Sequence, residues 1–107
     1  MSQAYLDPVE MDRLHKFCIA ALQKYPPDTQ FEHLKEEMGE LLIALSRLWR
    51  KRSTDDDVLE ELVDVFMCTV EMGVHHFGPA RFNTMLARKN LKFETSLIEG
   101  QVVEVAE

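Results

Sequence analysis

Apolar residues recur along this chain with the period of a helix. Leu14, Phe17, Cys18, Ala21, Leu22 and Tyr25 fall at the i, i+3, i+4, i+7, i+8, i+11 spacing of one helical face. Asp7-Pro8-Val9-Glu10 stands ahead of them, with Asp7 at the N-cap, Pro8 where a missing N–H costs nothing, and Glu10 placed to close a capping box. Pro26-Pro27 stops the run, which predicts a first helix over 8–24. Thr29 and Glu32 form a second capping-box pattern. Behind it Phe31, Leu34, Met38, Leu41, Leu42, Leu45, Leu48 and Trp49 make a broad apolar stripe, predicting a second helix over 30–51. A third cap-like signal at Asp57–Glu60 precedes Leu62, Val65, Phe66, Thr69, Gly73 and His76, giving a third helix over 57–77. Gly78-Pro79 joins a stop to a start, and Phe82, Met85, Leu86 and Phe93 support a fourth helix over 79–94. The tail from 95 to 107, with Gly100 and Val102-Val103, reads equally as a frayed end or a short strand.

No stretch alternates in the way a sheet requires, and connections of five residues or fewer favour antiparallel helical neighbours. The pattern predicts an all-α, four-helix antiparallel domain spanning 1–107. Stripes this wide exceed what a small chain buries by itself, so a helical dimer or tetramer of this chain is expected.

Composition narrows the functional classes. At 107 residues the chain is one domain's worth, and 46% apolar with 29% charged residues is a globular mixture. The longest apolar runs, Phe17–Leu22 and Leu41–Leu45, fall far short of the ~20 residues of a membrane span, and no leader pattern opens the chain. A soluble, cytoplasmic protein is expected, with no membrane partner. Cys18 and Cys68 are too isolated for a disulfide framework or a thiolate zinc site. A net charge of −7 repels duplex nucleic acid but suits a divalent cation, provided that the acids cluster.

They recur in register. Glu36-Glu37-Met38-Gly39-Glu40-Leu41-Leu42 and Glu60-Glu61-Leu62-Val63-Asp64-Val65-Phe66 both read Glu-Glu-x-x-acid-apolar-apolar, displaced by 24 residues. At about 100° per residue, Glu37 and Glu40 share one helix edge, as do Glu61 and Asp64. The residues that follow the acids, Met38, Leu41 and Leu42 or Leu62, Val65 and Phe66, read as buried stripe, so the carboxylates border the core. Two such edges facing each other would gather four carboxylates, an expensive arrangement unless a hard cation shares them. Mg²⁺ fits that chemistry, with Mn²⁺ as the alternative. The rival reading is a pair of solvated faces with ordinary ion pairs to Lys35, Arg47 and Lys51.

These motifs resemble the MazG-like all-α nucleoside triphosphate pyrophosphohydrolases, whose pattern is EExxE on one helix and ExxD on a later one, over about residues 10–95 here. The resemblance implies Mg²⁺-dependent cleavage of a nucleoside triphosphate between the α and β phosphates, giving monophosphate and pyrophosphate. It also implies metal ligation by Glu37, Glu40, Glu61 and Asp64. Asn90-Leu91-Lys92-Phe93 resembles the family's Asn-x-Lys-Phe segment, which makes Asn90 and Lys92 candidate phosphate contacts. Some members carry an arginine three or four positions after that lysine, where this chain has Thr95 and Ser96. Arg88, Lys89 and the Arg50-Lys51-Arg52 cluster are the candidate substitutes. Glu36, beside the ligand pair, is the candidate catalytic base for the attacking water.

Other signals favour structural roles. Cys68 lies beside carboxylates that would suppress its thiolate, and His75 near a helix end fits a cap. Two further classes of function stay open on sequence: a non-enzymatic helical module whose stripes dock a partner helix, and a nucleotide sensor that binds without turnover.

Overall fold

The computed structural model describes residues 5–99, and all four expected helices are present: α1 (Pro8–Lys24), α2 (Pro27–Trp49), α3 (Asp55–Thr69) and α4 (Pro79–Ile98). No strand occurs among the described residues. The alternatives for residues beyond Glu99, including Gly100 and Val102-Val103, lie outside them. None of the described helices is long and apolar enough to cross a membrane.

The ends differ from expectation for local reasons. Asp7 caps α1 by accepting from the Val9 and Glu10 amides at 2.9 and 3.4 Å, but Glu10 pairs with Arg13 instead of closing a box. α2 begins at Pro27, three residues early. Pro26 is its extended N-cap and Thr29 donates its amide to the Pro26 carbonyl, so the Thr29–Glu32 pattern lies inside the first turn. α3 also begins early, at Asp55. Its cap is Thr54, whose hydroxyl accepts from the Asp57 amide at 3.2 Å while the Asp57 carboxylate accepts from the Thr54 amide at 2.8 Å. α2 ends at Trp49, and Lys51 then takes a left-handed conformation at φ 60° to turn the chain. α4 runs four residues past the expected 94.

The third helix is not uniform. After Thr69 it widens into a π-helix, Val70–His76, closed by a bond from the Phe77 amide to the Met72 carbonyl at 3.1 Å. This π segment is the joint of the molecule: α1 docks on it, and α4 packs against it. Leu14 and Cys18 of α1 meet Val70 there with Met11 and Val74 at the margin, and His15 Nδ1 lies 2.7 Å from His75 Nε2. Gly73 supplies the room for α4. A Cβ at this position would stand 2.7 Å from the Phe82 ring.

α2 and α3 form an antiparallel pair. His33 near the start of α2 meets Cys68 near the end of α3 at 3.7 Å, while Ser53, just ahead of α3, bonds the Ala44 carbonyl at 3.1 Å. Their seam buries Ala44, Val58 and Cys68. The expectation that the stripes flanking the acids are buried is corrected here. Met38, Leu42, Leu45, Trp49, Leu62 and Phe66 are exposed in the single chain, because the seam uses the neighbouring faces of both helices.

Candidate metal centre between α2 and α3

Helical spacing turns the acidic edges into the α2–α3 seam. Glu37 and Glu40 are one turn apart on α2, Glu61 and Asp64 one turn apart on α3, and the antiparallel pairing brings the two turns opposite each other. One carboxylate oxygen from each of Glu37, Glu61 and Asp64 lies within 4.8 Å of the others, all three residues being half-buried. Glu40 stands outside this triad and is exposed, but its charge acts on both Glu37 and Glu61.

The electrostatics of the cluster are adverse. Burial, then the charges of Glu40 and Asp64, push the Glu37 carboxyl above the ordinary carboxylate range. Burial likewise raises Glu61, assisted by Glu40, Asp64, Glu37 and Glu60. Oε2 of each of these two residues is buried with no hydrogen-bond partner. Among the described residues, no lysine or arginine makes an ion pair with any of the four carboxylates. Lys35, a partner under the solvated-face reading, pairs with Glu32 at 2.8 Å. Three converging carboxylates with orphaned oxygens are the donor set of a hard divalent cation, so the residues present fit Mg²⁺ or Mn²⁺.

Two cavities flank the cluster. One of about 390 Å³ is bordered by Glu40, Glu60 and Glu61, with Arg47 and Arg52 also in its wall. The other, about 180 Å³, lies against Glu37 and Asp64 and is walled by Phe17, Met67, His33, Cys68 and Glu71. The structure thus brings Arg52, one of the candidate substitute cations, to the acidic site together with Arg47. Glu36 is exposed on α2, beside Glu37 in sequence. Asn90 and Lys92 are exposed on α4, and neither lines a cavity at the carboxylates.

Sequence reasoning missed two residues. His33 holds Glu37, Nε2 to Oε1 at 3.2 Å; its position four residues before that acid is the signal that could have found it. Glu71 is 7% exposed, its carboxyl raised by burial against the lowering charge of His33. It stands seven residues after Asp64, two turns along the same edge. The thiols of Cys68 and Cys18 are both pushed up to about 11, chiefly by burial, which suits packing and not nucleophilic attack.

No protein-family model, curated protein or solved structure matches this chain. The class of chemistry therefore rests on the residues and geometry just described.

Proposed function

We propose that this protein is a Mg²⁺-dependent nucleoside triphosphate pyrophosphohydrolase of MazG-like type, acting as a homo-oligomer. The observation that carries the reading is the pair of buried, unpartnered oxygens, Glu37 Oε2 and Glu61 Oε2, in a carboxylate triad spanning no more than 4.8 Å. Solvated acidic faces would leave such oxygens in water. Burying them without a cation is costly, and a docking module gains nothing from that cost.

Glu37, Glu61 and Asp64 hold the cation, and Glu40 completes its acidic surroundings from the rim. A cation held there would supply charge cancellation between carboxylates and polyphosphate and would lower the pKa of water in the site. Arg47 and Arg52, across the larger cavity, receive the anionic phosphate end. The smaller cavity, with Phe17 and Met67 in its wall, accepts the less polar remainder of the nucleotide. Glu36 takes the proton from the attacking water at the rim. Asn90 and Lys92 serve as phosphate contacts only if α4 approaches the site from a position other than the one it occupies here.

A panel of ribo- and deoxyribonucleoside triphosphates, incubated with and without Mg²⁺, tests the reading. Monophosphate plus pyrophosphate, abolished by chelator, is expected. Release of orthophosphate, or turnover indifferent to chelator, overturns it.

A further inference from the structure

The smaller cavity beside the acidic cluster holds a carboxyl that the metal chemistry leaves unused. Glu71 is 7% exposed, lines this cavity of about 180 Å³, and makes no hydrogen bond or ion pair among the described residues. A carboxyl so deeply placed is costly without a donor opposite it, and the cavity is where a donor can enter. Glu71 stands seven residues beyond Asp64. At ~1.5 Å per residue that is roughly 10 Å along the same helical run, which leaves space for a ribose between the carboxylate triad and Glu71.

The side chains around it supply no competing donor. His33 directs Nε2 to Glu37 Oε1 at 3.2 Å, and its Nδ1 lies 3.7 Å from the Cys68 thiol, which stays protonated because burial pushes it up to about 11. With Nε2 donating and Nδ1 accepting, the imidazole has no N–H left for a ligand. Phe17 and Met67 offer apolar surface against which a flat ring can lie. The Glu71 carboxyl presents an acceptor oxygen in either protonation state. This wall matches a flat ring whose edge donates. Size narrows the ring: a protein cavity of ~150 Å³ holds benzene, so about 180 Å³ suits one six-membered ring and falls short of a fused purine.

We propose, resting on the nucleotide reading above, that Glu71 reads the 4-amino group of a cytosine base seated in this cavity, which makes cytosine nucleotides the preferred substrate class. The amino group donates to the carboxyl, the contact by which acidic side chains read cytosine in DNA. Uracil has the same shape but turns a carbonyl, O4, toward the same acceptor, with no side-chain donor in the wall to meet it. Glu71 touches the base and not the reacting phosphates, so it selects the substrate and takes no part in bond cleavage.

Steady-state rates with Mg²⁺ are compared for CTP, UTP, ATP and the pyrimidin-2-one triphosphate that lacks the 4-amino group, while calorimetry follows binding of CTP and UTP. In kcat/KM, CTP is expected to exceed UTP and the pyrimidin-2-one analogue by ~10–100-fold, the equivalent of one hydrogen bond to a carboxylate, and to exceed ATP as well. Glu71→Gln carries an amide that donates to O4 as readily as it accepts from the amino group, so the CTP-to-UTP ratio should collapse toward one. A residue that only supports the fold would lower both substrates alike and keep the ratio. Equal use of CTP and UTP by the unmodified chain, ATP used as well as CTP, or a ratio that Glu71→Gln leaves unchanged overturns the proposal. If Glu71→Gln fails to fold, CTP against the pyrimidin-2-one analogue decides on the unmodified chain. Pyrophosphate released from every base alike sinks base reading and leaves the hydrolase standing, whereas selective binding of CTP without turnover does the reverse.

Discussion

The carboxylates of the α2–α3 seam oppose the fold that holds them. Glu37 and Glu61 are both pushed above the ordinary carboxylate range, chiefly through burial and then through the charges of Glu40 and Asp64. A raised folded-state value means that ionisation is harder in the native state than in the unfolded chain. Stability from this source is full below the unfolded value of 4.5 and is lost as pH rises through the raised one. With metal removed, the melting temperature should therefore fall as pH climbs out of the mid-acid range, and millimolar Mg²⁺ should restore it most at the high end. Thermal scans across pH, with chelator and with Mg²⁺, check the sign. Asp64→Asn and Glu37→Gln remove a like charge at little change in shape. Each should raise the metal-free melting temperature while weakening Mg²⁺ binding by at least ~10-fold, the smaller end of what loss of a supporting neighbour costs. His33→Ala, removing the group that orients Glu37, should weaken binding by ~10–100-fold without the gain in stability. Calorimetric titration with Mg²⁺ separates the two outcomes.

At the scale of elements, the π-helix decides how the termini attach. Gly73 lets the Phe82 ring lie where any side chain would intrude, so Gly73→Ala forces the ring or α4 to move and should cost about 1–3 kcal/mol, read by denaturant unfolding. The His15–His75 contact joins α1 to the same segment. Burial, then the proximity of His15, holds His75 below its ordinary 6.5, so its neutral form belongs to the docked state. That contribution is present above 6.5 and is lost as pH falls through the lowered value, opposite in sign to the carboxylates. Amide exchange along α1 should accelerate on acidification before α2 and α3 respond. The four helices were legible because their apolar periods are long and their proline and glycine stops are strong. The π segment was not, because one extra residue per turn leaves a 3.6 pattern too slightly disturbed to read over seven residues. The acidic site was legible through its duplication, a relation between two helices that survives errors in their ends. The face the stripes present was misread because α2 and α3 are apolar over more than half a turn, and spacing alone does not say which part meets the partner helix. His33 and Glu71 became visible only with the seam in place, as did the position of Arg47 in the wall of the larger cavity.

Across the whole molecule, net charge opposes the proposed self-association. Two copies at −7 each would repel, and the exposed apolar residues of α2 and α3 are what would favour their contact. Salt shortens the range of that repulsion to ~8 Å at physiological strength while leaving apolar association in place, so the proposed homo-oligomer should tighten as NaCl rises from low ionic strength. Divalent ions act twice. Besides screening, an ion held by Glu37, Glu61 and Asp64 removes two units of charge from each copy, and whatever favours assembly by that route must in turn be favoured by assembly. At matched ionic strength, MgCl₂ should therefore lower the dissociation constant further than NaCl. Asp64→Asn should erase the difference between the two salts while keeping the response to NaCl. Light scattering on dilution in the two salts measures both effects. Equal responses in the unmodified chain would mean that the acidic cluster and the self-association surface do not communicate, even through charge.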